Sequence, residues 1–465
     1  MKPRTLLILL VLVLGLGAFI WFYERKLPSS EERETLGKKV FALDKGDVTA
    51  VAIEAPKGAV RLEKAPSPKP AKDKKEGTAE PAADWRLTQP LAARADAFAV
   101  DRLLDAVTSL AKTNTLDKVD PKAVGLDKPR ATVRLTTKDG EKVLRIGAEV
   151  PPGGSTIAAV DGRKGAYVVS DAVLSEVDKA PGEWRDHQVF RGNRDAVLRI
   201  TLTGGPDGPV VLARHRGGFW MERPVADRAD RDLVDGLLSD LTGLTADRFL
   251  DGAQNLAALG LNPPKGAVDV VFSDGTPPAR VELGTSVTGP AAPEGQPAGE
   301  LAYGKLGDTV FEVRTRLGES VRRAPTDWRA LQLSVFEVHD VDSATVRDGA
   351  GAMPLTRSGT DWKRGDTLIS YLPVSDLLFA VTGARAQRVL TPAESAGLAK
   401  PLITFELHGK ELGGETLTLY PPTKDGVPAR VSGRDVALLL PADTLQQVQS
   451  KVKEVREAKA TKPEK

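Results

Sequence analysis

Apolar residues recur with helical spacing at three places in the chain. The segment that begins at Val100 has apolar residues at positions i, i+3, i+4 and i+7, and the segments that begin at Val234 and Val374 repeat that spacing. Such spacing places the apolar side chains on one stripe of an amphipathic helix. Asp96 and Asp230 precede the first two segments, where a carboxylate can cap the free backbone N–H groups of a helix. The pattern therefore predicts one helix in each of three repeats.

Two further motifs flank each predicted helix. A tryptophan precedes the helix, and a Gly-Leu-x-x-Pro motif follows it, before an apolar strand pattern. Glycine can adopt the left-handed conformation that ends a helical turn, and proline makes the residue before it extended. The motif is therefore expected to end one element and begin the next. The tryptophans are Trp85, Trp220 and Trp362, and the motifs lie at 125–129, 260–264 and 397–401.

Short strand patterns surround each helix and give every repeat the order β-β-β-α-β-β-β-α. This order predicts an α+β fold with mainly antiparallel pairing. The three modules are expected at 45–190, 193–333 and 336–457. Trp85 and Trp220 are 135 residues apart, which is far longer than a solenoid unit of roughly 20–50 residues. Each module is therefore expected to bury a core of its own.

A continuous apolar run extends from Thr5 to Tyr23. As a helix with a rise of about 1.5 Å per residue it would be about 28 Å long, close to the hydrocarbon thickness of a bilayer. Cleavage after Gly17 would leave an apolar mature terminus, so an uncleaved signal anchor at 1–24 is favoured over a cleaved signal peptide. The predicted fold class is an N-terminal transmembrane helix followed by three tandem, mainly antiparallel α+β repeat modules.

Basic residues do not decide the orientation of this span, because Lys2 and Arg4 precede it and Arg25 and Lys26 follow it. The short N-terminal tail favours a cytoplasmic N-terminus. We therefore expect a single-pass protein of the cell inner membrane, with the membrane as a partner and the bulk of the chain in the periplasm.

Composition and motifs argue against several kinds of function. Sixty-five Lys and Arg residues nearly balance 63 Asp and Glu residues, whereas a nucleic-acid-binding protein usually has a basic excess. The absence of cysteine excludes a disulfide and a thiolate nucleophile. None of the four histidines has a second histidine at i+4, and no nucleophile elbow or phosphate-binding loop occurs. We therefore predict no catalytic residue, metal site or cofactor, and the sequence is silent on a small-molecule ligand.

The repeated tryptophans are the candidate binding residues. A tryptophan at the same place in each repeat favours a buried, structural role. The alternative is that Trp85, Trp220 and Trp362 stack on a cell-envelope polysaccharide or on peptidoglycan. A hydrolase with an unrecognised pair of carboxylates is a third hypothesis.

Taken together, the apolar N-terminal run, the tryptophan near a proline, the V-x-x-L-L helix, the Gly-Leu-x-x-Pro motif and a closing Trp-Arg pair resemble the DUF4340 family. The resemblance covers most of residues 20–457 and weakens in the third repeat, which lacks the closing pair. Members are generally uncharacterised and often encoded beside ABC transporter components of the gliding-motility type. The resemblance thus implies a non-enzymatic accessory or scaffold protein with permease or ATPase subunits as partners, and it supplies no catalytic or ligand residues.

Overall fold

The computed structural model describes residues 38–461, except 42, 66–83 and 289–298. Strands are its main elements, and they form three sheets. The strands of the first sheet are β1 (Val48–Ala55), β2 (Gly58–Lys64), β3 (Trp85–Gln89), β4 (Ala93–Arg94), β5 (Lys112–Leu116), β6 (Ala131–Thr137), β7 (Gly140–Val150), β8 (Ser155–Val160) and β9 (Ala166–Ser170). Those of the second are β10 (Val197–Thr203), β11 (Val210–His215), β12 (Gly218–Arg223), β13 (Asp227–Arg228), β14 (Ala246–Phe249), β15 (Gly266–Phe272), β16 (Ala279–Ser286), β17 (Glu300–Leu306) and β18 (Thr309–Thr315). Those of the third are β19 (Ser343–Asp348), β20 (Gly351–Ser358), β21 (Asp361–Arg364), β22 (Thr367–Ile369), β23 (Arg388–Val389), β24 (Ile403–Gly409), β25 (Gly413–Leu419), β26 (Val427–Val431) and β27 (Leu438–Leu440).

Helices connect these strands. The α-helices of the described chain are α1 (Ala97–Thr108), α2 (Ala172–Val177), α3 (Arg231–Thr242), α4 (Leu317–Arg322), α5 (Tyr371–Thr382), α6 (Pro392–Ala396) and α7 (Thr444–Glu457). The helices α1, α3 and α5 are those that the apolar spacing predicts, and each has 12 residues. Asp96 caps α1 by accepting hydrogen bonds from the N–H groups of Phe98 and Ala99 at 2.8 and 3.1 Å.

All three sheets have the same strand order. In the first sheet the order is β4-β3-β2-β1-β6-β7-β8-β9-β5, and the other two repeat it with strand numbers nine and eighteen higher. The first and sixth strands of each repeat pair antiparallel in the middle of the sheet. The predicted internal repeat is therefore confirmed at the level of topology.

Each repeat has its own hydrophobic core between its sheet and its helices. In the first repeat, Val51 and Ile53 of β1 contribute alternate side chains to this core, as a strand with one buried face requires. Leu103 and Val107 contribute the stripe of α1, because residues four apart lie on one face of a helix. Alternation in β1 and helical spacing in α1 therefore explain how this helix packs on one face of the first sheet.

The last segment of each repeat pairs with the end of the fourth strand of the same repeat. Isolated bridges join Ala95 to Arg185 in the first repeat, Ala229 to Arg329 in the second and Ile369 to Ala460 in the third. The closing Trp-Arg pair supplies this contact in the first two repeats, while an unrelated sequence supplies it in the third. The contact is made by the backbone, which explains why the topology persists where the motif is lost.

The predicted fold class needs correction. The protein is mostly antiparallel sheet, and none of the described helices is long and apolar enough to span a bilayer. Even α7, with 14 residues, reaches only about 21 Å, against a hydrocarbon core of about 30 Å. The run from Thr5 to Tyr23 lies outside the described residues. The predictions of a transmembrane helix, of the membrane as a partner and of a single-pass inner-membrane localisation with a periplasmic bulk are therefore corrected for the residues that the structure describes, which contain no membrane span.

Contacts divide the chain into two compact units, Met1–His187 and Gln188–Lys465. The first unit contains the first sheet, and the second unit contains the other two. The module bounds 45–190, 193–333 and 336–457 remain predictions.

Gly236 offers a simple test of the α3 assignment. It lies exposed in the middle of α3, and a Cβ at this position meets no atom within 4 Å. Gly236→Ala is expected to raise the free energy of unfolding by about 0.5–1 kcal/mol, because alanine loses less backbone entropy in a helix. Thermal or urea unfolding measures the change. The matched control is Gly243→Ala at the end of α3, where a Cβ would lie 3.1 Å from the Ser239 carbonyl oxygen; an equal gain in both variants would contradict the assignment.

Candidate functional site

The structure places the three candidate tryptophans in two different environments. Trp85 and Trp362 are 5% and 0% exposed and belong to the cores of the first and third repeats. Trp220 is half-buried. Stacking on a polymer requires a free ring face, which the two buried side chains lack. Trp220 is therefore the one of these three residues whose ring is partly accessible.

A difference in register explains why Trp220 differs. In the first repeat the carbonyl of Trp85 accepts a hydrogen bond from the N–H of Ala95, and in the second repeat the carbonyl of Phe219 accepts the equivalent bond from Ala229. Phe219 therefore occupies the place of Trp85, and Trp220 lies one position further along the strand. Because successive side chains of a strand point to opposite faces, Trp220 faces away from the core that Phe219 enters.

Trp220 packs beside the third repeat. The centroid of its ring lies 6.0 Å from that of His215. A Cβ built on Gly433 would lie 3.4 Å from the Trp220 ring. The β11–β12 turn extends this contact, since a Cβ at Gly217 would be within 3.7 Å of Val335 and Leu412. The ring of Trp220 therefore helps join two repeats of the second unit.

A buried ion cluster lies at the same junction. Asp227 of β13 is fully buried, and its carboxylate lies between two arginines. Arg329 Nε donates a hydrogen bond of 2.5 Å to Oδ2 of Asp227. Arg434 of the third repeat donates a second one from Nη2 at 3.1 Å and places its Nε 2.7 Å from Oδ1. This carboxylate thus joins residues that are 207 positions apart in sequence.

A second buried ion pair extends the cluster. Arg228 Nη1 lies 3.2 Å from Oε1 of Glu415, and both side chains are 7% exposed. Ser334 donates its hydroxyl hydrogen to Glu415, and Arg228 also donates to the carbonyl of Gln332. Burial lowers the pKa of Arg228 to about 10, and burial raises the pKa of Glu415 although the Ser334 hydroxyl and Arg228 favour its charged form. Asp227, Arg228, Arg329, Glu415 and Arg434 are called the junction cluster below.

The junction cluster is suited to holding two repeats together. Its two carboxylates accept hydrogen bonds from arginines, and buried charges of this kind are stable only when they are paired. A catalytic acid must be accessible to its substrate, and the carboxylates of Asp227 and Glu415 are both buried. One sequence motif could have indicated the cluster, namely the closing Trp-Arg pair of the second repeat, whose arginine is Arg329.

Helix α5 carries an unusual outer face. Leu372 and Phe379 are each 69% exposed, and Tyr371 is 40% exposed. Leu372 and Phe379 are seven residues apart and therefore lie on the same side of the helix. The opposite side of α5 is buried in the core of the third repeat. Tyr371, Leu372 and Phe379 are called the α5 outer strip below.

The equivalent helices show that the fold does not require this strip. At the second helical position, α3 has Asp232 where α5 has Leu372. At the ninth position α1 has Asp105, and α3 has Ser239, where α5 has Phe379. Large apolar side chains in water lose the stabilisation that burial would give them. Exposed apolar residues in such a group are typical of a surface that contacts another molecule.

A cleft opens at one end of the second repeat, between its sheet and α4. Its volume is about 360 Å³, and its wall includes the apolar side chains of Leu283, Ala302 and Val321. Lys265, Glu300 and Arg322 also line it. These six residues define what is called the repeat-2 cleft below.

In the described part of the chain, no group of three or more His, Asp or Glu side chains is arranged so that it could hold a metal ion. His339 is 74% exposed, and its ring nitrogens lie 3.5 and 3.4 Å from carboxylates of Glu337 and Asp340. This arrangement is an exposed surface contact of a kind that contributes little to stability.

The fold and these surfaces define a protein of three antiparallel-sheet repeats, two of which are joined by buried charges. The profile described as "Domain of unknown function (DUF4340)" matches residues 85–264 and 220–401. The chain therefore belongs to the DUF4340 family, as the sequence motifs indicate. Each match begins at a tryptophan of one repeat and ends at the proline of the next repeat's Gly-Leu-x-x-Pro motif. No curated protein and no solved structure matches the chain.

Proposed function

We propose that this protein is a non-catalytic scaffold, auxiliary to an ABC-type transport system, that contacts a protein subunit of that system through the α5 outer strip. The observation that carries the proposal is the 69% exposure of both Leu372 and Phe379 on one side of α5, where α3 is polar at both positions and α1 is polar at the position of Phe379. The class of partner comes from the family resemblance alone.

The surroundings of the strip favour a protein as the partner. Lys451 of α7 lies 3.2 Å from Asp376 of α5 and 2.9 Å from Glu454, so charged groups border the apolar side chains. An apolar centre with a polar rim is the usual composition of a protein–protein contact surface. An amphipathic helix of a transport subunit would match it, with its apolar side on Leu372 and Phe379.

The junction cluster gives the strip a rigid support. It connects the second and third repeats within one compact unit. A rigid surface loses less conformational entropy when it binds, which favours a contact of modest size. A scaffold acts by binding its partners, so a rigid binding surface matters more to it than reactive side chains do.

The strip proposal predicts where a crosslink forms. A photoreactive phenylalanine analogue at position 379 of the full chain, expressed in its own cells, should crosslink to a permease or ATPase subunit of an ABC transporter. Leu372→Asn combined with Phe379→Asn should lower recovery of that subunit about tenfold or more, because a buried anchor residue typically contributes at least about 1–2 kcal/mol to a contact. Mass spectrometry of the crosslinked and the co-purified proteins measures both results.

Phe98 provides the matched control. It is 84% exposed at the second position of α1, the place that Leu372 has in α5. Phe98→Asn should leave recovery of the subunit unchanged. The proposal fails if no ABC transporter subunit is crosslinked at position 379, or if the Phe98 variant loses the subunit while the strip variant keeps it.

A further inference from the structure

The repeat-2 cleft has the size of a small-molecule site. Its volume of about 360 Å³ lies within the range of about 300–1,000 Å³ that ligand pockets usually have. Leu283 and Val321 form part of its apolar wall and are themselves buried in the core of the second repeat. The apolar surface is therefore held in place by the fold.

The cleft is not a necessary result of the repeated topology. Gly266 lines the cleft as the first residue of β15, whereas the first residues of the equivalent strands are Ala131 and Ile403. Both of those side chains are buried, at 1% and 3% exposure. The other two repeats therefore carry side-chain atoms at a position where the second repeat has only glycine, against which Val321 packs: a Cβ on Gly266 would lie 2.9 Å from its Cγ1.

The charge at the cleft is also particular to the second repeat. Arg322 follows the buried Val321 in α4, whereas Asp178 follows the equivalent buried Val177 at the end of α2. Asp178 is occupied as the acceptor of a 3.0 Å hydrogen bond from the N–H of Lys57. The second repeat thus carries a cation where the first carries a carboxylate.

Arg322 keeps donors available for a ligand. Its Nη2 donates a 3.1 Å hydrogen bond to Oε2 of Glu300, and Ser286 donates its hydroxyl hydrogen to the other oxygen of Glu300. The Ser286 hydroxyl and Arg322 lower the pKa of Glu300, so the ion pair persists at neutral pH. A guanidinium has five N–H donors, and this bond uses one. Lys265 adds a second cation, so positive charge exceeds negative charge among the lining residues.

We propose that the repeat-2 cleft binds a small organic monocarboxylate, with the carboxylate held by Arg322 and Lys265 and a short apolar chain against Leu283, Ala302 and Val321. A planar guanidinium matches a carboxylate through paired hydrogen bonds, and an ammonium adds a point charge. The site is independent of the α5 outer strip and does not rest on the scaffold proposal.

The test measures binding of pentanoate and its neutral isostere pentanamide to the full chain by ligand-observed NMR. Pentanoate should saturate with a dissociation constant of about 1–10 mM, the usual range for so few contact atoms. Pentanamide should bind at least about tenfold more weakly, because it lacks the charge that Arg322 and Lys265 recognise. Equal binding of the two compounds, or no saturable binding of pentanoate, overturns the proposal.

Two substitutions of one ion pair separate recognition from structural damage. Arg322→Gln should weaken pentanoate binding at least about fivefold, because it removes a cation that the ligand contacts. Glu300→Gln should strengthen it about two- to fivefold, because it removes the carboxylate that competes for Arg322. Both variants remove the same ion pair, so damage to the fold would change binding in the same direction in both.

A filling variant and a surface control complete the design. Ala302→Leu places a larger side chain in the cleft and should abolish pentanoate binding, while Arg231→Gln, on the exposed surface of α3, should leave it unchanged. Thermal unfolding of each variant shows that the chain is folded. Pentanoate binding that survives Ala302→Leu, or that changes in the same direction in the Arg322 and Glu300 variants, overturns the assignment.

Discussion

Asp227→Asn is expected to destabilise the second unit by about 3–5 kcal/mol, the cost typical of removing one partner from a buried ion pair. Asparagine preserves the shape of the side chain but leaves Arg329 and Arg434 without the carboxylate that both contact. The side chain of Arg434 is completely buried, so its charge cannot reach water without movement of the third repeat. Urea denaturation of the full chain, followed by tryptophan fluorescence, measures the loss.

Asp235 provides the matched control for this substitution. It is an aspartate of the same repeat in an ion pair with Arg194, but its side chain is 47% exposed. Asp235→Asn should cost less than about 1 kcal/mol, since exposed ion pairs contribute little. Replacing Arg434 with methionine in the Asp227→Asn background should recover part of the loss, because it removes one of the unpaired charges. Similar losses for Asp227→Asn and Asp235→Asn would show that the junction cluster does not hold the repeats together.

Phe219→Ala is expected to cost about 3–5 kcal/mol, as is usual when a buried aromatic side chain is truncated. Phe219 is 7% exposed and belongs to the core of the second repeat. Trp220→Ala should cost less, about 1–2 kcal/mol, although tryptophan is the larger residue. The reason is the register of β12, which directs Phe219 into the core and Trp220 towards the third repeat.

The order of these two losses decides between two alignments of the repeats. If Trp220 occupied the place of Trp85, its truncation would be the more damaging of the two. Trp85→Ala in the first repeat serves as the reference, because Trp85 is 5% exposed and packs in the core there. A Trp220→Ala loss as large as that of Trp85→Ala would contradict the register described here.

Local features of the fold could be predicted from the sequence. The spacing of apolar residues places the buried stripe of α1, because helical periodicity is a property of neighbouring residues. The cap at Asp96 follows from the chemistry of one side chain and the N–H groups two and three residues later. The antiparallel pairing likewise follows from short strands joined by turns.

The remaining features depend on contacts between distant residues or on a single position of register. The sequence motif aligns Trp85 with Trp220, but the adjacent Phe219 fills the core position that Trp85 has in the first repeat. A comparison of residue types cannot detect this shift of one position. Asp227 and Arg434 form a buried ion pair, but no sequence motif distinguishes either residue from the other charged residues of the chain. Part of the α5 outer strip could have been found by comparing α5 position by position with α1 and α3, since Phe379 stands at the ninth position, where both of those helices have a polar residue.

The central position of β1 has a consequence for the order in which the chain becomes stable. Val51 of β1 pairs with Leu135 of β6, so one hydrogen-bonding edge of β1 stays open until the strand 84 residues later has been made. Pairings over such long sequence separations form slowly, and an open strand edge invites pairing with other chains. During synthesis each repeat therefore passes through a stage in which its first strand, which is central in the finished sheet, is an edge strand. Fragments that begin and end where the family profile does would make that stage permanent, because they separate the first strand of a repeat from the sixth.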